Sequence, residues 1–144
     1  MNADQDPHLE DPSRAGVYFV GAQDLDALAA YAFTARLVLR RIDLMGVCDK
    51  QTLLLRIAVA LDFPLGTGRN WDGLLDCLRD LAWLPGAGYA LLLENAGELH
   101  AGNEADFDTL VAVLDQAQLA WRERGVPFWA FLALRDKDID ALED

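Results

Sequence analysis

Apolar and polar residues follow two kinds of pattern along the chain. Four short apolar runs predict β-strands, and the last two are continuous enough for strands buried on both faces: residues 16–20, 37–44, 89–94 and 128–134. Between these runs, apolar residues recur at helical spacing and predict helices: residues 24–31, 49–61, 71–84 and 104–124. Strands that alternate with helices across short connections predict an α/β fold with a mainly parallel sheet.

Residues with strong capping preferences mark the ends of the predicted helices. Asp24, Asp49, Asn70 and Asn103 each stand at a helix start, where a side-chain oxygen can accept a hydrogen bond from an unpaired backbone N–H group. Gly125 follows the long helix and suits the left-handed conformation in which many helices end. These signals agree with the hydrophobic periodicity.

The third predicted helix carries three aspartates at four-residue spacing. At 100° per residue, Asp72, Asp76 and Asp80 fall within about 80° of one another and form an acidic ridge. The predicted packing side holds Leu74, Cys77, Leu78, Leu81 and Ala82. Like charges at this spacing cost a helix a few tenths of a kcal/mol per pair, so helix stability does not favour the arrangement. The ridge predicts a face for a positively charged partner, and an ordinary solvated helix face is the alternative.

The charge balance narrows the choice of partner. The chain has 24 acidic and 12 basic residues, a net charge of −12. Nucleic acids and anionic membranes are poor partners because they require a basic surface, whereas a basic protein would be attracted. The apolar runs are too short to cross a bilayer, and the acidic N-terminus lacks the apolar core of a signal peptide. We therefore expect a cytoplasmic protein with neither membrane nor nucleic acid among its partners.

Length and composition predict one domain with two polar ends. Residues 16–135 are apolar enough for a single core, residues 1–15 are polar and aperiodic and predict a mobile tail, and residues 136–144 predict a frayed acidic tail. Cys48 and Cys77 show no CxxC spacing and are expected to remain thiols, with Cys77 in the core. His8 and His100 lie alone in predicted irregular segments, so no metal site and no cofactor are predicted.

One segment resembles a known family. FPLGTGRNWDGLLDCL, residues 63–78, has a Pro–Gly–Asn loop followed by the pattern Asn-apolar-Asp-x-Leu-x-Asp-Cys-Leu. It is similar to the barstar-like proteins, intracellular inhibitors of ribonucleases such as barnase, and the similarity extends from about Arg36 to the last predicted strand. The resemblance implies three parallel strands packed with helices. Residues 16–35 lie outside it, and their predicted strand would add a fourth strand at a sheet edge.

The resemblance also implies a mode of action. In this family the loop and the acidic helix plug the nuclease active site, so Asp72 and Asp76 would meet its basic residues in place of substrate phosphates. The remaining partner contacts implied for this chain come from the loop, the cap and the rest of the helix: Thr67, Gly68, Asn70, Trp71, Leu75 and Asp80. Gly66 and Thr67 stand where the family has tyrosines, and Leu75 stands where it has tryptophan. The expected partner is therefore a ribonuclease other than barnase or another basic protein.

Two other classes of function remain as alternatives. The fold could serve as a general protein-interaction module, or Asp72 and Asp76 could act as the paired carboxylates of a small acidic enzyme. The sequence interpretation that we carry forward is a monomeric, non-enzymatic, barstar-like inhibitor of a ribonuclease.

Overall fold

In the part of the chain that the structure describes, strands alternate with α-helices. A computed structural model describes residues 6–67 and 69–143, with side-chain environments up to residue 140. In chain order the elements are β1 Val17–Val20, α1 Leu25–Thr34, β2 Val38–Asp43, α2 Lys50–Ala60, α3 Trp71–Asp80, β3 Tyr89–Glu94, α4 Gly97–Gly102, α5 Glu104–Glu123, β4 Phe128–Ala133 and α6 Asp136–Glu143. Within these described residues, no helix combines the length and the apolar character needed to cross a membrane.

The strands form one parallel sheet in the order β1-β4-β3-β2. In register, Val17 pairs with Ala130, Tyr89 pairs with Phe128, and Val38 pairs with Tyr89. The predicted α/β class is confirmed, and so is the fourth strand contributed by the N-terminal extension. That strand, β1, lies at one edge of the sheet, and β2 lies at the other.

Both faces of the central strands are buried. Along β4, Phe128, Ala130 and Leu132 belong to the larger core, which contains the large buried apolar residues of α2, α3, α4 and α5. The alternate residues Trp129 and Phe131 belong to a second core with α1 and the N-terminal segment. This alternation follows from the two-residue period of a strand, and it explains why the runs in β3 and β4 are apolar throughout.

The N-terminal segment differs from the predicted mobile tail. Leu9 is only 1% exposed, and its carbonyl oxygen accepts a hydrogen bond from Trp129 Nε1 at 2.7 Å. Ala15 is also buried, and its carbonyl oxygen accepts from Arg122 Nη2 at 2.6 Å. The prediction is wrong over residues 6–15 because β4 presents a large aromatic face that needs a cover and an indole N–H that needs an acceptor. Residues 1–5 lie outside the described part of the chain.

The C-terminal segment also packs. Residues predicted as a frayed tail form α6, where Asp138 is buried and accepts a hydrogen bond from Arg135 Nε at 2.7 Å. This bond holds the pKa of Asp138 below its usual value. Ile139 packs against the larger core. The structure differs from the predicted frayed tail because the packing of α6 depends on residues distant in sequence, such as His100 of α4, whose Nδ1 lies 3.5 Å from Asp138 Oδ1.

Further predictions concern three helix starts and one histidine. Asp49 Oδ2 accepts from Thr52 N at 2.9 Å, and Asn103 Oδ1 accepts from Asp106 N at 3.2 Å, so both predicted caps are confirmed. Asp24 makes no capping bond, because its backbone is already helical and a 3-10 turn precedes α1. His100 was predicted to lie in a loop, yet it belongs to α4.

Candidate protein-interaction site

The helix α3 begins where its sequence predicts. Asn70 has an extended backbone, and its Oδ1 accepts a hydrogen bond from Gly73 N at 2.6 Å. The helix ends at Asp80, earlier than predicted, because Leu81 adopts a left-handed conformation with φ of 47°. This bend buries Leu81 and Leu84 together in the larger core, so burial compensates for an unfavourable backbone angle.

The acidic ridge of Asp72, Asp76 and Asp80 is solvent-exposed, as the helix phase predicts. On the opposite side, Leu74 and Leu78 are buried. The carbonyl oxygen of Leu78 also accepts a hydrogen bond from Trp121 Nε1 of α5 at 2.7 Å. The ridge is therefore presented by a helix that is capped at its start and fixed along its back.

One arginine modifies the charge of the ridge. Arg79 Nη2 lies 3.2 Å from Asp76 Oδ1, one helical turn away, and 74% of the Asp76 side chain is exposed. An exposed pair of this kind contributes about 0–1 kcal/mol, since water screens it and two mobile side chains must be ordered. A cation from a partner can therefore displace Arg79 at little cost.

The loop before α3 is shaped by short-range contacts. Gly66 has φ of +88°, which a glycine adopts without strain, and Thr67 Oγ1 donates to Pro64 O at 2.7 Å. Arg69 and Asn70 continue the loop on the exposed surface. Gly68, which the resemblance assigns to the partner contact, lies outside the described residues.

Apolar residues of α3 border the ridge. Trp71 and Leu75 are half-buried and pack against the larger core, so each leaves only part of its side chain accessible beside Asp72 and Asp76. Trp83, a second tryptophan near the helix end, donates from Nε1 to Leu61 O at 2.8 Å. It lies beyond the helix and does not extend the ridge.

The packing side of α3 differs from prediction at two residues. Ala82 is exposed because the helix ends before it. Cys77 is half-buried rather than enclosed, and its Sγ lies 3.9 Å from Thr67 Oγ1. Partial burial raises the pKa of the Cys77 thiol, and the charges of Asp80 and Asp76 act in the same direction. The Cys77 thiol therefore has a low tendency to ionise and to act as a nucleophile beside the ridge.

The two histidines occupy different surroundings. His100 packs edge-on against Phe107, with ring centroids 4.8 Å apart, and its Nδ1 lies 3.5 Å from Asp138 Oδ1. His8 is exposed beside Glu10, at 3.4 Å. In the described part of the chain, no group of three or more histidine, cysteine or acidic side chains is arranged to hold a metal ion.

A cleft beside the loop was missed by the sequence interpretation. It has a volume of about 400 Å³, and it lies between α2, the loop and the start of α3. Leu55 and Val59, one turn apart on α2, line it together with Leu65, and all three side chains are exposed. In the sequence, the cleft could have been indicated by Leu55 and Val59, an apolar pair at i, i+4 on α2. Hydrophobic periodicity alone assigns such a pair to the core.

The fold and the site define an α/β protein with one exposed acidic helix on a buried parallel sheet. The model of the family described as Barstar (barnase inhibitor) matches residues 37–133. This chain therefore belongs to the Barstar family, and the matched range contains the loop and the acidic ridge but not β1, α1 or α6. Among curated proteins, none matches the chain in sequence.

Proposed function

We propose that this protein inhibits a basic ribonuclease by covering the enzyme's active site with α3 and the preceding loop. The observation that carries the proposal is the position of Asp72 and Asp76, two exposed carboxylates on a capped and packed helix within the part of the chain that matches the Barstar family. That family is one of inhibitors, and the proposal extends its activity to this chain.

Phosphate mimicry gives the inhibition a physical basis. A ribonuclease active site is arranged to bind phosphates, and its arginine side chains form strong charge-assisted hydrogen bonds with carboxylates. Asp72 and Asp76 would take the places of two phosphates, while Thr67, Asn70 and the accessible parts of Trp71 and Leu75 would contact the surrounding surface. Because the helix is already ordered, binding loses little conformational entropy.

The charge of the whole chain supports the same partner. A net charge of −12 attracts a basic protein over long range and speeds its association, and it repels nucleic acid and anionic membranes. The proposal includes a monomer that needs no cofactor and acts in the cytoplasm, where it would protect cellular RNA. Catalysis by Asp72 and Asp76 has less support, because both side chains lie in water on a convex helix surface.

The test is a titration of ribonuclease activity. The purified chain is added in increasing amounts to barnase and to the basic proteins secreted by its own organism, and RNA cleavage is measured. We expect stoichiometric loss of cleavage in at least one of these samples. Full activity in both samples at an excess of the chain would overturn the proposal.

A general protein-interaction module is the second candidate. The Arg79–Asp76 pair favours it, because an arginine on the ridge adds a positive charge that would face an enzyme's basic residues. Under this alternative, the chain would bind a protein that has no ribonuclease activity, and this binding would depend on Asp76. The titration separates the two candidates, because only the inhibitor lowers RNA cleavage.

A further inference from the structure

The exposed apolar residues of this protein are not scattered evenly. Val59 is 69% exposed and Leu65 is fully exposed, and with Leu55 they line the cleft between α2 and the loop, which we call the α2 groove. Single exposed apolar residues are ordinary on a protein surface. A contiguous set around a cleft is typical of a place where another molecule binds.

The walls of the α2 groove are held in place. Phe63 packs edge-on against Trp83 at 5.8 Å between ring centroids, and Trp83 is fixed by its hydrogen bond to Leu61 O. In the same loop, Thr67 Oγ1 donates a hydrogen bond to Pro64 O. The groove therefore exists before binding, and a partner need not order it.

The α2 groove is continuous with the loop and the helix cap that belong to the proposed interface. Thr67, Arg69 and Asn70 line the groove, and Asn70 is also the cap of α3, two residues before Asp72. A protein that covers both the ridge and the loop would therefore also reach the groove. Asp62, whose side chain is 69% exposed, also lines the groove and pairs with Arg40 Nη2 at 3.5 Å.

We propose that the α2 groove receives an apolar side chain, aromatic or of leucine size, from the same basic protein that covers the ridge. The inference rests on the proposed function. Charge pairs mainly guide association, whereas buried apolar residues near the centre of an interface hold the complex together. The groove would supply the apolar contact. The apolar residues beside the ridge, Trp71 and Leu75, are half-buried and offer less accessible surface.

The test compares two double variants that each remove two exposed apolar side chains. Val59→Ser with Leu65→Ser alters the groove, and Phe33→Ser with Leu119→Ser alters exposed positions on α1 and α5. Binding of each variant to the inhibited ribonuclease is measured as association and dissociation rates at several salt concentrations. All four substitutions lie on the surface, so folding should be retained, and a thermal unfolding scan checks this.

We expect the groove variant to bind about tenfold more weakly through faster dissociation, with an unchanged salt dependence of association. The control variant should bind like the wild type. Normal binding by the groove variant, while Asp76→Ala binds weakly, would overturn the groove proposal and leave the proposed function standing. Equal weakening by both double variants would also overturn it.

Two other outcomes contradict the proposal. If the titration finds no inhibited ribonuclease, the proposed function and the groove proposal fall together. If the free chain sediments as a dimer that the groove variant dissociates, the groove belongs to a second copy of the chain. Sedimentation of the wild type and the groove variant without ribonuclease distinguishes this case.

Discussion

The ridge aspartates of α3 and Asp138 of α6 lie in opposite environments. On α3, the carboxylates of Asp72 and Asp76 point into water. On α6, Asp138 is buried and accepts hydrogen bonds from Arg135 at 2.7 and 3.3 Å. Asp76 and Asp138 each have an arginine three residues away, Arg79 and Arg135, so a basic neighbour does not distinguish them. The difference is burial, because 74% of the Asp76 side chain is exposed and only 11% of the Asp138 side chain is. The fold packs α6 against α4 and the larger core, and it leaves the outer side of α3 in water.

The largest expected effect comes from removing a ridge carboxylate. Asp76→Ala should weaken ribonuclease binding by about 2–5 kcal/mol, a range that already includes measurements on barnase and barstar, because a buried cation of the partner is left unpaired. Asp72→Ala should act in the same direction by a smaller amount. Binding is measured by titration of inhibition, and stability is measured by denaturant unfolding.

For these ridge variants we expect a separation between binding and folding. The free energy of unfolding should stay the same or rise slightly, since a repulsive i, i+4 pair is removed. If both variants bound normally, the ridge would be an ordinary solvated surface and α3 would no longer differ in function from any exposed helix side.

The packed side of α3 should respond in the reverse manner. Leu78→Ala should lower the free energy of unfolding by roughly 2–5 kcal/mol, because Leu78 is fully buried and its removal leaves a cavity. Urea unfolding measures the loss. A stability close to that of the wild type would show that α3 is not held by the core in the way its contacts indicate.

On α6, Asp138→Asn should cost about 1–2 kcal/mol of stability at neutral pH through the weakened bond to Arg135. The pKa of Asp138 is lowered in the folded state, so its stabilising contribution is complete above the ordinary carboxyl pKa of about 4 and declines as the pH falls through the lower folded value. The difference between variant and wild type should therefore shrink below pH 4.

The control for this change is Asp140→Asn, an exposed position on the same helix. Unfolding of both variants is followed at neutral and acidic pH. A loss at Asp140 as large as that at Asp138 would mean that the helix charge as a whole, and not the bond to Arg135, determines stability. The contrast between α3 and α6 would then lose its basis.

The smallest effect is expected at the end of the ridge. Asp80→Ala should weaken binding by less than about 1 kcal/mol, because a carboxylate near the rim of an interface stays partly in water. Inhibition titrations beside Asp76→Ala measure the difference. A loss of binding as large as that of Asp76→Ala would show that the centre of the interface lies nearer the end of α3.

Much of the fold could be predicted from local patterns. The strands, the caps at Asp49, Asn70 and Asn103 and the phase of α3 all depend on residues close together in sequence. The extents of several elements could not be predicted in this way. α3 ends four residues early because the burial of Leu81 favours a left-handed turn, and that burial depends on distant parts of the chain.

The sequence by itself determined the parallel α/β architecture, the family resemblance and the acidic ridge, because each follows from short-range periodicity or from one contiguous motif. Only the tertiary structure decided the packing of residues 6–15, the docking of α6 and the formation of the α2 groove. In those regions the deciding contacts join residues far apart in the chain, as between Leu9 and Trp129. Whether a polar or acidic segment stays in water or packs in the fold depends on the contacts that the rest of the chain offers. Local composition does not reveal those contacts.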